Sequence, residues 1–212
     1  MKVVEIFYSI DGEGIKAGFP VVFVRLEGCN LRCSYCDTKY SYTQAQYEEL
    51  TVDEIFNRVF RYGCKRVTLT GGEPLIHEDV DSLINKLTSE GFVVNIETNG
   101  SVDITPYLNN KDVLITADYK CPSSGMEDRM LQSNLKKLRR TDVLKFVVGN
   151  QEDLNVCLSL IGYTRAQVFI SPVFGQIEPK EIVEYMLTHN MQNCRVQLQL
   201  HKFIWNPDER GV

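Results

Sequence analysis

Three cysteines stand within eight residues, spaced Cys29-x3-Cys33-x2-Cys36. Thiolates are soft ligands that suit Zn2+ or iron–sulfur clusters. A structural zinc site takes four ligands. The local count is three, and the histidines (His77, His189 and His201) lie far off in sequence. Cys64, Cys121, Cys157 or Cys194 could complete a zinc site only through the fold, so a non-enzymatic zinc or iron–sulfur module stays open on these residues alone. A four-iron cube held by three cysteines leaves one iron free for a small molecule, which is a reactive arrangement. The cysteine total is seven. An odd count in a chain with no secretory signal points to reduced thiols or metal ligands rather than disulfides.

These cysteines need elements to hold them, and the hydrophobic pattern supplies a regular set. Val21–Val24 reads as a buried strand, and so do Val67–Thr70, Phe92–Ile96, Val113–Ala117, Val143–Val148, Val168–Ile170 and Val196–Leu200. Helical patterns lie between most of them. Thr51 and Glu54 have capping-box spacing ahead of Val52, Ile55, Phe56, Val59 and Phe60 on one face. Val80 to Leu87 gives a second helix and Met130 to Leu138 a third. Asn150 caps another, and Pro179 opens the last. The Tyr-rich stretch 39–50 reads as a loop. Strand–helix alternation means parallel strands with right-handed crossovers. About six units follow the first strand, short of a closed eight-fold barrel. The expected fold class is α/β: an open, partial β/α barrel of about six parallel strands, folded as one domain over residues 1–212.

In such folds chemistry sits at the C-terminal ends of the strands. The cysteines follow the first buried strand. Gly71-Gly72-Glu73-Pro74 follows the second, Glu97-Thr98-Asn99-Gly100 the third, and Asp118-Tyr119-Lys120 the fourth. The third segment is also an ordinary Asn-Gly turn signal when read alone. Arg25 interrupts an otherwise apolar strand four residues before Cys29. A guanidinium there suits bidentate capture of a carboxylate.

The formal charge of −5 argues against a dedicated nucleic-acid binder, which carries a basic surface. No apolar run approaches the roughly 20 residues of a membrane span. Residues 1–14 contain Glu5, Asp11 and Glu13 and no long apolar core, unlike a secretory signal. The expectation is a cytoplasmic protein with no nucleic-acid or membrane partner.

The segment Cys29-Asn-Leu-Arg-Cys33-Ser-Tyr35-Cys36 resembles the signature of radical S-adenosylmethionine (SAM) enzymes, and Gly71-Gly72-Glu73-Pro74 resembles their second motif. The resemblance implies a [4Fe–4S] cluster on Cys29, Cys33 and Cys36. It implies SAM bound at the open iron and cleaved by one electron to a 5′-deoxyadenosyl radical. It places Gly72, Glu73, Glu97, Asn99, Asp118, Tyr119 and Lys120 around SAM. The two ends of the chain, Glu5 to Gly14 and Gln197 to Trp205 with Arg210-Gly211-Val212, look like the 7-carboxy-7-deazaguanine synthase family. That likeness covers essentially the whole chain.

The family resemblance implies a lyase acting in queuosine and other 7-deazapurine biosynthesis. It would contract the ring of 6-carboxy-5,6,7,8-tetrahydropterin to 7-carboxy-7-deazaguanine with loss of ammonia, and regenerate SAM. It implies pterin contacts from Ile10, Asp11, Gly12, Arg25, Thr70, His201 and Val212, with Asp11 standing where the family usually has Gln. It further implies Mg2+ on the Thr38 hydroxyl, a homodimer, and a flavodoxin or ferredoxin as electron donor. The resemblance implies no catalytic protein side chain; the radical is carried by the cofactor. Gln197, Gln199 and His201 are expected to share one face of the last strand. His77 and His189 are expected on helix ends or surfaces. A second reading is a radical SAM activase that places a glycyl radical on a partner protein.

Overall fold

The computed structural model of the chain describes residues 1–207 and 209–212. Its elements run β1 (Lys2–Ile10), β2 (Pro20–Leu26), β3 (Glu48–Glu49), α1 (Val52–Phe60), β4 (Arg66–Gly71), α2 (Val80–Ser89), β5 (Val93–Thr98), β6 (Val113–Tyr119), α3 (Ser133–Lys137), β7 (Val143–Val148), α4 (Gln151–Leu160), β8 (Gln167–Pro172), α5 (Pro179–Thr188), β9 (Cys194–Val196) and α6 (His201–Ile204), with short 3-10 turns between some of them. One sheet orders the strands β3-β1-β2-β4-β5-β6-β7-β8-β9. From β2 through β9 the neighbours are parallel. At one edge β1 pairs antiparallel with β2, and the short edge strand β3 pairs antiparallel with β1. The fold is an open, partial β/α barrel, as expected, and its parallel strands number seven.

The local signals act as expected. Thr51 Oγ1 accepts from Glu54 N at 3.3 Å while Glu54 returns a carboxylate oxygen to Thr51 N at 2.8 Å. This box opens α1, which buries Ile55, Phe56 and Val59. Asn150 accepts from Asp153 N and caps α4, and Pro179 is the first residue of α5.

Three expectations are corrected. The stretch 39–50 is not all loop: it holds a 3-10 turn and β3, which pairs with β1. The helix expected from Met130 starts only at Ser133 and has five residues. The last strand lies at Cys194–Val196, not Val196–Leu200. Beyond it the chain is drawn off the sheet onto the N-terminal loop. Gly14 N donates to Gln197 Oε1 at 2.8 Å, Gln197 Nε2 donates to Gly14 O at 3.0 Å, and Leu200 N donates to Gly12 O at 3.1 Å. His201 therefore begins α6 and does not share a strand face with Gln197 and Gln199.

Strand side chains alternate between faces. One set, including Val24, Leu26, Leu69, Ile96, Ile115, Leu144 and Phe146, forms the core beneath the helices. The opposite set is polar: Arg25, Thr70, Glu97, Asp118 and Lys145. The parallel register places Arg25 beside Thr70, Glu97 beside Thr116, and Asp118 beside Lys145. So the sheet turns an apolar face to the helices and a charged face inward.

Candidate active site

The inward face lines a cleft of about 730 Å³ at the C-terminal ends of the strands. Of the residues expected in a site, Cys29, Cys33, Cys36, Thr38, Gly72, Glu97, Asn99, Asp118, Lys120, Ile10, Asp11, Gly12, Arg25, Thr70, His201 and Val212 all border it. Glu73 and Tyr119 do not. Tyr119 falls on the opposite side of β6 from Asp118, tilted against Phe146 with its hydroxyl near Glu127 and Gln132. The Glu73 carboxylate is fully engaged within the protein. It accepts from Leu75 N at 3.0 Å, Thr98 Oγ1 at 2.8 Å and Asn99 N at 2.6 Å. Burial still pushes this acid up to about 7 against those hydrogen bonds.

The paired glycines bring the cysteine loop and the end of β4 into contact. Gly72 N donates to Leu26 O at 3.1 Å, and Glu73 N to Gly28 O at 2.8 Å. Gly71 has φ +143°, and a Cβ there would sit 2.2 Å from Leu26 O. A Cβ on Gly72 would sit 1.8 Å from Gly28 O, the residue before Cys29. Only backbone without side chains fits between these two segments.

The three site thiols are free, half-buried and open to the same cleft. Cys29 Sγ accepts from Leu31 N at 3.4 Å and Asn99 Nδ2 at 3.7 Å. Burial raises the Cys29 and Cys33 thiols, with Lys120 opposing it at both. Among the described residues no three His, Cys, Asp or Glu side chains converge as one metal ion requires. A four-iron cluster gives each thiolate its own iron, and three thiols spread along one wall, with N–H donors on a sulfur, fit that group. The Thr38 hydroxyl lies 3.7 Å from Cys36 Sγ. It offers a single hard oxygen, which suits a Mg2+ that keeps water and substrate ligands.

Charge is concentrated on the cleft floor. Lys145 Nζ lies 3.1 Å from Glu13 Oε2 and 3.4 Å from Asp118 Oδ2, and Lys120 Nζ lies 3.0 Å from the same Asp118 oxygen. Burial disfavours the Lys145 ammonium, but Glu13, Asp118 and Glu97 outweigh it and raise its pKa well above the ordinary value. Burial likewise works against the Asp118 carboxylate, but Lys120 and Lys145 win and lower it. Asp118 Oδ1 is buried without a partner among the described residues. Burial first, then the Glu97 and Glu13 charges, raise Asp11 to about 7. Glu97 is raised mainly by burial; Thr70 Oγ1 donates to it at 3.0 Å.

At the other end, Glu5 Oε1 accepts from Arg25 Nε at 2.6 Å and from Tyr40 Oη at 3.0 Å. Arg25 is thereby held beside the cleft, with its side chain 13% exposed. The C-terminal segment covers this end. The His201 ring lies against Gly12, Lys202 Nζ is 3.6 Å from Asp37, and the Arg210 guanidinium lies 3.9 Å from the centre of the Tyr40 ring. Burial lowers the His201 pKa, with Glu13 and Asp37 opposing. The other two histidines stand apart from the cleft. His77 follows a 3-10 turn and bonds Glu27 O, and His189 stacks on Tyr185 at the end of α5.

Sequence reasoning missed Glu13, Lys145 and Glu5. The signal for Lys145 was present, as the one charge in the apolar run Val143–Val148. Glu13 and Glu5 gave none, because their partners lie 132 and 20 residues away.

The chain is similar in sequence and in fold to known proteins. A sequence profile of the Radical SAM superfamily matches residues 23–115. The 7-carboxy-7-deazaguanine synthase of Clostridium acetobutylicum is 45% identical, over 100% of this chain and 99% of that protein. The synthase of that name from Methanospirillum hungatei is 42% identical, over 98% of this chain and 86% of its own. The crystal structure of QueE from Escherichia coli superposes with a TM-score of 0.76 at 24% identity, over 94% of each chain, and so shares the fold.

Proposed function

The chain belongs to the 7-carboxy-7-deazaguanine synthase family of radical SAM enzymes, and from that premise we propose how its residues divide the work. It is a lyase, and its cofactors are the [4Fe–4S] cluster, SAM and Mg2+. The reaction in this reading converts 6-carboxy-5,6,7,8-tetrahydropterin to 7-carboxy-7-deazaguanine and ammonia. When bound, the cluster and SAM supply one electron and the hydrogen-abstracting radical.

The observation that carries the reading is that one cleft joins the cysteine triad to a preset arginine. Glu5 holds Nε of Arg25, the guanidinium lies over the Phe7 and Tyr40 rings, and its two Nη groups make no hydrogen bond among the described residues. A carboxylate can dock there bidentately. Thr70, Glu97 and His201, with the backbone of Ile10, Asp11 and Gly12, then surround the pterin ring. Glu97 and Asp11 present acceptors to its N–H groups. Val212 and the segment before it close the site from water. Gly72, Asp118 and Lys120 line the SAM end, where the free Asp118 Oδ1 can accept from a hydroxyl or ammonium. Glu73 acts indirectly, by holding Asn99 and Leu75. The Thr38 hydroxyl would hold Mg2+, which would supply a positive charge for the substrate carboxylate.

The covered, charged cleft suits a small polar substrate better than a polypeptide. No helix among the described residues is long and apolar enough to cross a membrane. We place the enzyme in the cytoplasm as a homodimer, reduced by a flavodoxin or ferredoxin.

The test is anaerobic turnover of the reconstituted protein with SAM, reductant and 6-carboxytetrahydropterin, with and without Mg2+, followed by mass spectrometry. Product in excess over SAM consumed is the expected result. Release of 5′-deoxyadenosine with the pterin unchanged would defeat the substrate assignment and leave the superfamily standing.

A further inference from the structure

Asn99 borders the cleft, yet its side chain has no hydrogen-bonding capacity left for a ligand. Asn99 Oδ1 accepts from Ser101 N at 3.0 Å and Ser101 Oγ at 2.6 Å. The backbone N–H of Ser101 can only donate, so the amide orientation is fixed and Nδ2 faces the cysteine loop. There Nδ2 donates to Asn30 Oδ1 at 2.9 Å and to Cys29 Sγ at 3.7 Å. Two donors and two acceptor sites are all occupied within the protein. The surrounding bonds hold the arrangement rigid. Asn30 Nδ2 donates to Ser101 Oγ at 2.8 Å, and Asn99 N donates to Glu73 Oε2 at 2.6 Å. The residue is 7% exposed. One network thus ties the Cys29 loop, the Gly-Gly-Glu-Pro segment and the end of β5 together, with Asn99 at the centre.

We propose that Asn99 is a positioning residue whose side-chain amide orients the Cys29 thiolate and raises the reduction potential of the cluster it holds, rather than a side chain that contacts SAM. The physical reason is electrostatic. Reduction adds negative charge to the cluster and its sulfurs, and an N–H donor aimed at a ligand sulfur stabilises the reduced form more than the oxidised one. Asn30 contributes by keeping the Asn99 amide on target. The inference rests on the cluster reading above.

The experiment is a reduction-potential titration of the reconstituted protein, monitored by electron paramagnetic resonance, first with SAM absent and then with SAM added. Iron and sulfide are quantified in parallel. Asn99→Leu keeps the size and removes the donor. Asn30→Ala, at an exposed position, loosens the same amide and serves if Asn99→Leu does not fold. The expected result is a midpoint shifted to more negative potential in both, less in Asn30→Ala, at wild-type iron content. SAM affinity, measured on the oxidised cluster, stays at the wild-type value. An unshifted midpoint at full iron content overturns the proposal and leaves the cluster reading intact. A shift that appears only when SAM is present also overturns it, since that is the signature of a SAM contact. A wild-type protein that takes up no cluster would remove both readings.

Discussion

Gly72→Ala should cost the protein its cluster before it costs it its fold. The added Cβ would lie 1.8 Å from Gly28 O, 2.3 Å from Gly28 C and 2.8 Å from Cys29 N, where real Cβ contacts essentially never fall under 3.0 Å. The obstacle is backbone on every side and cannot rotate away. Gly28 is pinned by Ser41 O on its N–H at 2.9 Å and by Glu73 N on its carbonyl at 2.8 Å. The Gly28-Cys29 peptide must therefore retreat by more than 1 Å and break at least one of these bonds. Metal ligands tolerate displacements of only about 0.2 Å. Overpacking of about 1 to 3 kcal/mol plus one lost hydrogen bond near 1 kcal/mol gives about 3 kcal/mol of destabilisation. For a chain of this size that lowers the apo-protein Tm by about 10 °C. The assay is iron and sulfide content after anaerobic reconstitution, with a thermal melt of the apo form. Gly162→Ala is the control, since a Cβ there meets nothing within 4 Å. A Gly72→Ala protein with wild-type iron and an unchanged melt would refute the steric argument outright.

Other perturbations test the charged floor and the arginine. Removing the ammonium in Lys145→Met leaves Glu13 and Asp118 facing each other without their shared partner, a loss of about 3 to 5 kcal/mol in a melt. Adding Glu13→Gln to that variant should recover part of the loss; no recovery would contradict the pairing. Glu5→Gln should raise KM for the pterin about 10-fold, the worth of one charge-assisted hydrogen bond that orients Arg25, while kcat holds. A fall in kcat alone would be inconsistent with that role. Asp11 is raised from an ordinary 3.8 to about 7, so the folded state keeps a proton that the unfolded chain has released. Its stabilising effect is complete below about pH 4 and is lost as pH rises to about 7, at roughly 1.4 kcal/mol per pH unit. Glu73 is raised to about 7 as well and titrates over the upper part of this window. Urea melts across this range should therefore be flatter for Asp11→Asn than for the parent, and an identical slope would show that Asp11 does not titrate there.

Much of the molecule was legible in one dimension because its determinants are local. The cysteine spacing, the capping box at Thr51, the Asn150 cap and Pro179 each act within a few residues, and each appears where the sequence implied. The apolar strand runs were equally readable, since each is buried on its helix-facing side whatever its neighbours are. So the parallel α/β order, and the placement of the polar segments at the strand ends, followed from the chain alone. Where the reading failed, distant partners decided. β1 mixes Lys2, Glu5 and Ser9 with apolar residues and becomes a strand only because β2 pairs with it. Gln197 to Leu200 has the alternation of a strand but leaves the sheet, because Gly12 and Gly14 offer backbone partners from the other end of the chain.

The same division holds for the site. Residue types by themselves singled out three soft ligands, paired glycines and one arginine in an apolar strand, and the fold brings them to one cleft. Tertiary structure decided their division of labour. Parallel register set Asp118 against Lys145, and the closing of the N-terminal loop brought Glu13 to the same ammonium. Burial then settled which charges persist and which acids rise. Those outcomes depend on distances between residues far apart in the chain and on how much water the fold excludes, and neither quantity is written in the order of residues.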